Sequence, residues 1–209
     1  MLGYSPVQAG LAFVPLAVGA LAGNATGVKL GAKTGPRFLV LGGMLVMAAS
    51  FGLLAMVSAD TGFVVPAIGL GLLGLGAGVA MPAAIGALMS TIPPEKAGVG
   101  SALNDTIQQA GSALGIAILG SLLAAGFTRH MPAGAPVQAR QSITGALAAA
   151  HGDTGLVHAA REAYTASMSA TFTVSAIAIL AAALLATLVI RNTKPEPAPA
   201  PAEEQALVA

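Results

Sequence analysis

The residues that could do chemistry are few, and most of them gather in one stretch. From Pro93 to Gly126 the chain reads PPEKAGVGSALNDTIQQAGSALGIAILGSLLAAG, with Ser101, Asn104, Asp105, Gln108, Gln109 and Ser112 set among apolar residues. At about 100° per residue, a helix here puts Ser101, Asp105, Gln108 and Ser112 on one face, with Asn104, Gly111 and Gly115 just beside it. Asp105 is the only ionisable side chain well inside any of the long apolar runs. A carboxyl group that meets water from alternate sides of a membrane could take up and release a proton. The neighbouring amides and hydroxyls could bond a polar group on a small molecule. The plainer alternative has Asp105 in water near the helix N-terminus, where the helix dipole favours an anion. The amides would then only join neighbouring helices. Both readings stay open at this point. In either case such groups are costly against lipid tails and should face a bundle interior or a wet cavity.

Other chemistries find little support. His130, His151 and His158 do not have the spacing of a common metal motif, and no metal or cofactor is expected. There is no cysteine, which excludes thiol catalysis, disulfides and cysteine metal sites. No nucleophile elbow, H-E-x-x-H or Walker A sequence occurs. The run GLGLLGLGAG (69–78) contains a G-x-G-x-x-G match, with Glu95 about twenty residues on. Its glycines have no strand before them and no solvated helix start to receive a pyrophosphate. Close helix packing is the physical reading, with Gly71, Gly74 and Gly78 letting a neighbouring backbone approach. Such a ridge of small residues suits a helix that slides or rocks against its neighbour. Gly111 and Gly115 are read in the same way. No Lys/Arg cluster is dense enough to bind nucleic acid.

The elements that must carry these residues follow from composition. The chain has 209 residues, 56% of them hydrophobic and only 8% charged, against about 25% charged in ordinary soluble domains. One charge, Asp60, lies between Phe38 and Met89, and none lies from Ala163 to Ile190. A bilayer's hydrocarbon core is about 30 Å thick, which needs about 20 helical residues. These runs reach that length, and a soluble fold of this size could not hide them. The expected fold class is all-α, a polytopic transmembrane bundle of about five spans. They are placed at 10–28, 38–58, 63–90, 98–127 and 166–190, with a long outer loop at 128–165. Within that loop Leu156–Tyr164 can continue the fifth helix outward. The membrane-embedded region is taken as 1–193. The tail 194–209, rich in Pro, Ala and Glu, cannot bury a core and is expected to be disordered and cytoplasmic.

Positive charges set the expected orientation. Lys29, Lys33, Arg37, Lys96, Arg191 and Lys194 fall on one side if the spans alternate, while Arg129, Arg140 and Arg161 lie on the other. The C-terminus is then cytoplasmic and the N-terminus outside. An outside N-terminus without a basic n-region suggests that further helices precede this chain in a longer protein. The loop GVKLGAKTGPRFLV (27–40) holds Lys33, Gly35 and Arg37. It is either a simple positive-inside anchor or a gate-locking loop between two helices.

Three stretches resemble one family: GYSPVQAGLAFVPLAVGAL (3–21), GAKTGPR (31–37) and PPEKAGVGSALNDTIQQAGSALGIAILGS (93–121). They are similar to the C-terminal half of major facilitator superfamily transporters, above all the fourteen-helix drug:proton antiporter branch. The resemblance implies that this chain supplies helices ten to fourteen of such a carrier. It implies proton-driven export of a small amphipathic molecule by alternating access, with the proton gradient as energy source and no covalent chemistry. Ser101, Asn104, Asp105, Gln108 and Ser112 would line the pathway. Lys33 and Arg37 fall on basic positions of the family's loop motif, while its acidic position falls on Ala32, so a charge relay at this gate is in doubt. The implied partners are the lipid bilayer, a small-molecule substrate and the missing N-terminal helices. The rival readings are a non-transporting membrane scaffold, a half-transporter that needs its other half, and a membrane-embedded enzyme for which too few catalytic groups are present.

Overall fold

The computed structural model describes residues 10, 11, 13–58 and 61–189, with Ala32 and Lys33 described through their backbone alone. The amino-terminal stretch through Ala9, together with Asp60, Arg191 and the tail from Lys194, lies outside the described residues. Among the described residues every regular element is helical: α1 (Val14–Thr34), α2 (Pro36–Ala55), α3 (Val64–Met89), a 3-10 turn (Pro94–Lys96), α4 (Ala97–His130), α5 (Val137–Gln141), α6 (Ile143–Ala149) and α7 (Thr154–Val189).

The breaks between helices have local causes. Pro15 and Pro36 sit in the first turns of α1 and α2, where a missing N–H costs nothing. Gly35 separates α1 from α2 at φ 79° and ψ 162°, a region essentially reserved for glycine. Pro93 and Pro94 end the approach from α3 and open the 3-10 turn. Asp153 caps α7, its Oδ1 accepting from the backbone N–H groups of Gly155 and Leu156 at 2.8 and 3.2 Å. In front of it, Gly152 takes φ 95°.

Four helices are long and apolar enough to cross a membrane by length and composition: α2, α3, α4 with its leading 3-10 turn, and α7. The fifth long helix, α1, is not among them, because Asn24, Thr26, Lys29 and its glycines dilute its hydropathy. All five lie over the expected spans, with shifted ends. In particular α1 continues to Thr34, α4 to His130, and α7 begins at Thr154 rather than near residue 166. At 1.5 Å per residue, α4 and α7 are each roughly 50 Å long, well beyond the hydrocarbon thickness.

Contacts fix the relative directions. Leu16 and Ala20 of α1 meet Gly74, and Ala20 and Asn24 meet Gly78, so α1 and α3 run parallel. Ser50 of α2 donates to the Gly69 carbonyl at 2.7 Å, while Gly43 faces Gly76 and Ala80, so α2 and α3 are antiparallel. Ser169 of α7 donates to the Ala55 carbonyl, and Phe51 packs against Phe172 with ring centroids 5.9 Å apart, so α2 and α7 are also antiparallel. Gly126 of α4 meets Ser167 of α7. The order of neighbours is α1, α3, α2, α7, α4. All five helices therefore alternate, as successive crossings require. One end of the bundle carries the α4–α7 connection; the other carries the α1–α2 and α3–α4 turns.

A cluster of buried apolar residues lies away from the middle of the bundle. It lies in the α4–α7 connection, where Phe127, Met131, Ala139, Ala146, Ala160 and Ala163 are buried together, with Ile143, Leu156 and Tyr164 packed against them. We call this unit the cap. The segment expected to be a long loop contains α5 and α6 and has its own interior. Elsewhere large apolar side chains point outward, such as Leu21, Val28, Ile116 and Leu188. That arrangement suits lipid as solvent, where only backbone and polar groups must be satisfied internally.

Candidate functional site

The polar stripe forms as its spacing requires, since α4 is continuous from Ala97 to His130. Asp105 stands eight residues into the helix, roughly 12 Å along its axis. Asn104 Nδ2 reaches the Asp105 carboxylate at 3.4 Å, and Thr106 donates back to the Ala102 carbonyl at 2.8 Å. Ser101, Asp105, Gln108, Gln109 and Ser112 are exposed, and Asn104 is half-buried. No described helix covers the stripe. A bundle interior or a wet cavity is expected, and the described helices do not form an interior around it.

The reason lies in how α4 packs. Its half-buried positions toward the cap are Gly115, Leu119, Leu123 and Gly126. These follow one another in steps of three and four residues and extend the line of Ser101, Asp105, Gln108 and Ser112. The face that carries the stripe is therefore the face that packs on α7 near the cap. Packing stops where the polar residues begin. The opposite face is apolar, with Val99, Leu103, Ile107 and Leu114 all exposed.

The glycines divide into two groups. An added Cβ at Gly74 or Gly78 would strike the α1 backbone, at Leu16 and Ala20 respectively, while one at Gly71 would sit in ordinary contact with the Pro15 carbonyl at 3.6 Å. At Gly111 and Gly115 an added Cβ would meet nothing within 4 Å, so these two are not contact points with another described helix. The sequence reading also missed half of the arrangement. Gly19 and Gly23 of α1 answer the α3 glycines, so both backbones are bare where they touch. Gly69 and Gly76 form a second face of α3, against Leu54, Gly43 and Met47 of α2. The signal was available: Gly19, Gly23 and Gly27 repeat every fourth residue, the small-xxx-small pattern of close helix contacts.

At the loop between α1 and α2, Gly35 is buried and Arg37 half-buried. The Lys33 side chain lies outside the described residues. The histidines sit in the cap region, where His158 pairs with Glu162 at 3.5 Å on the exposed surface of α7. His130 Nδ1 lies 2.8 Å from the Gly126 carbonyl. No group of three His, Cys, Asp or Glu able to hold a metal occurs among the described residues.

Alternating apolar helices of membrane-spanning length, joined through bare glycine contacts, define a multi-pass membrane protein. The chain belongs to the Major Facilitator Superfamily, whose sequence profile matches residues 1–209. It is 35% identical over 130 residues to the puromycin resistance protein pur8 of Streptomyces alboniger, covering 58% of this chain and 25% of that protein. It is 29% identical over 203 residues to the multidrug efflux pump LfrA of Mycolicibacterium smegmatis, covering 92% of this chain and 40% of the pump. It is 35% identical over 139 residues to the methyl viologen resistance protein SmvA of Salmonella typhimurium, covering 65% of this chain and 28% of that protein. The chain thus spans two fifths or less of the length of these relatives.

Proposed function

We propose that this chain is the helix ten-to-fourteen portion of a proton-coupled exporter of small amphipathic molecules that works by alternating access. The observation that carries the reading is the polar stripe of α4. It lies on the bundle-facing side, and no other described helix covers it. In a family whose members named above are an efflux pump and resistance proteins, an uncovered polar face is the wall of a cavity that other helices of the carrier would complete. Two halves then rock about a site between them. Asp105 carries the proton, and Ser101, Asn104, Gln108 and Ser112 bond the polar part of the substrate. Lys33, Gly35 and Arg37 form the gate at the opposite end of the bundle from the cap.

In this reading the α1–α2 turn faces the cytoplasm and the cap faces outward. The distribution of charge supports it: Lys29, Arg37 and Lys96 sit toward the end away from the cap, while Arg129, Arg140 and Arg161 lie at the cap end. A second reading is a half-transporter or scaffold, inactive without its other half. Its support is the share of the relatives' length that this chain spans.

The test is substrate uptake into inverted membrane vesicles under an imposed pH gradient, with the chain in its complete carrier. Wild type is expected to concentrate a fluorescent cationic dye. Asp105→Asn is expected to abolish the dependence on the gradient and lower the rate by about 100-fold or more, the low end of what a positioned proton-transfer group contributes. Unchanged, gradient-dependent uptake by Asp105→Asn would remove Asp105 from the mechanism. Uptake by the 209-residue chain alone would reject the half-transporter reading.

A further inference from the structure

We propose that Arg129 and Arg140 form a binding site for the phosphate of an anionic phospholipid, in the leaflet at the cap end of the bundle. This requires only a chain that spans a bilayer, and it holds whether or not the carrier exports. Depth is set by α2. Its 20 residues from Pro36 to Ala55 measure roughly 30 Å, the thickness of the hydrocarbon core. The Ala55 carbonyl therefore marks the hydrocarbon boundary at this end. It accepts from Ser169, which carries the level across to α7. Two residues farther out, Ser167 touches Gly126, which carries it to α4. Thr128 then stands roughly 6 Å beyond the boundary at 1.5 Å per residue. The headgroup layer occupies about 5–8 Å on each side of the core. Tyr164, five residues outward from Ser169 and half-buried against the cap core, falls in the same layer, where tyrosine is enriched.

The cap brings two arginines to that depth. Thr128 Oγ1 donates to the Arg140 carbonyl at 3.0 Å, so the end of α4, with Arg129, lies against α5, with Arg140. Arg129 is exposed and Arg140 half-buried. Arg140 Nε is enclosed by protein and has no acceptor among the described residues. A buried donor left unmet is costly, so packing and not a partner holds this side chain in place. Neither guanidinium makes an ion pair among the described residues, where the one charged pair is His158 with Glu162. Two cations held on touching segments repel, and an oxyanion between them removes that cost. Arginine suits the part, since its planar fork grips phosphate through paired N–H donors. Depth selects the source of the oxyanion. Lipid phosphates fill this layer, whereas free phosphate would have to gather from bulk water, and a carboxylate would have to be carried to this spot by another helix. A headgroup without its own cation is favoured, because an ammonium would meet the same two positive charges.

The test is thermal unfolding of the complete carrier in mild detergent, titrated separately with phosphatidylglycerol, phosphatidylcholine and inorganic phosphate. Wild type is expected to show a saturable rise in its midpoint with phosphatidylglycerol, and little with the other two. At the worth of one basic residue near an anionic membrane surface, Arg129→Gln or Arg140→Gln is expected to weaken the apparent affinity for phosphatidylglycerol about fivefold, and the double variant about thirtyfold. Arg129→Lys keeps the charge and is expected to keep most of the affinity. Arg161→Gln, exposed on α7 and roughly 12 Å beyond the boundary, is the control and is expected to match wild type. Arg129 is exposed, so its variants keep the comparison intact if Arg140→Gln fails to fold. An equal response of wild type and Arg129→Gln to phosphatidylglycerol would overturn the site. An equal rise with inorganic phosphate would overturn its assignment to lipid. A fall in the double variant's midpoint that is the same with and without lipid would give these arginines to a carboxylate elsewhere in the carrier, and would overturn it as well.

Discussion

Gly35 shows how much one residue can decide. It holds φ 79° and ψ 162° between two long helices and is buried there. A side chain in this region costs about 1–3 kcal/mol. Gly35→Ala should therefore destabilise the α1–α2 turn by that order, read as a lower midpoint of unfolding in mixed micelles, while Gly10→Ala, with open space around it, should leave the midpoint unchanged. Asp105 poses a different question. Its helix, its depth and its companions could be read from the sequence, because helical spacing alone places Ser101, Gln108 and Ser112 on its face. What covers that face could not. Side-chain spacing says which residues share a direction, but not whether another helix stands opposite. The structure supplies part of that: the same face is half-buried at Leu119, Leu123 and Gly126, and no described helix covers it from Ser101 to Ser112.

At the scale of elements, α3 is the keel of the bundle. Its Gly74 and Gly78 face α1, and its Gly69 and Gly76 face α2, about half a turn away. Without side chains at these points, backbones approach closely enough for dispersion contacts to hold helices together in lipid, where no hydrophobic force assists. The bare contact repeats over several turns, from Gly19 against Gly71 and Leu75 to Gly23 against Leu75 and Gly78. The close approach expected of a glycine ridge is present between α1 and α3. Gly74→Leu should cost well over the roughly 1–3 kcal/mol of ordinary overpacking, because the obstructing atoms are backbone. The expected result is loss of the monodisperse peak in detergent chromatography. Gly111→Leu, facing open space, should keep that peak; equal losses would mean that α4 is packed like α3.

The long helices were legible because each needs only an apolar run and a break, and both are written in composition, proline and glycine. The cap was not legible. Its core is made largely of alanines at 139, 146, 160 and 163, and a residue so small and so common carries little periodic signal. Its helices, five and seven residues long, are too short for a repeating pattern. Only the possible outward continuation of the last helix through Leu156–Tyr164 pointed to order there, and α7 does run through that segment from Thr154.

For the whole molecule, the proposed function requires water against the stripe on α4, within a membrane protein, and lipid against the opposite face of the same helix. Both faces are exposed in the structure, so exposure does not separate them; chemistry does. Polar groups are held away from lipid tails because each costs several kcal/mol there. The most direct measurement is single-cysteine scanning of α4 in sealed membranes with a membrane-impermeant thiol reagent, in the complete carrier with any cysteine outside these 209 residues replaced. The account predicts labelling at Ser101→Cys, Asp105→Cys, Gln108→Cys and Ser112→Cys, and none at Leu103→Cys, Ile107→Cys and Leu114→Cys. Labelling without this helical period, or protection of the stripe from both sides of the membrane, would contradict it.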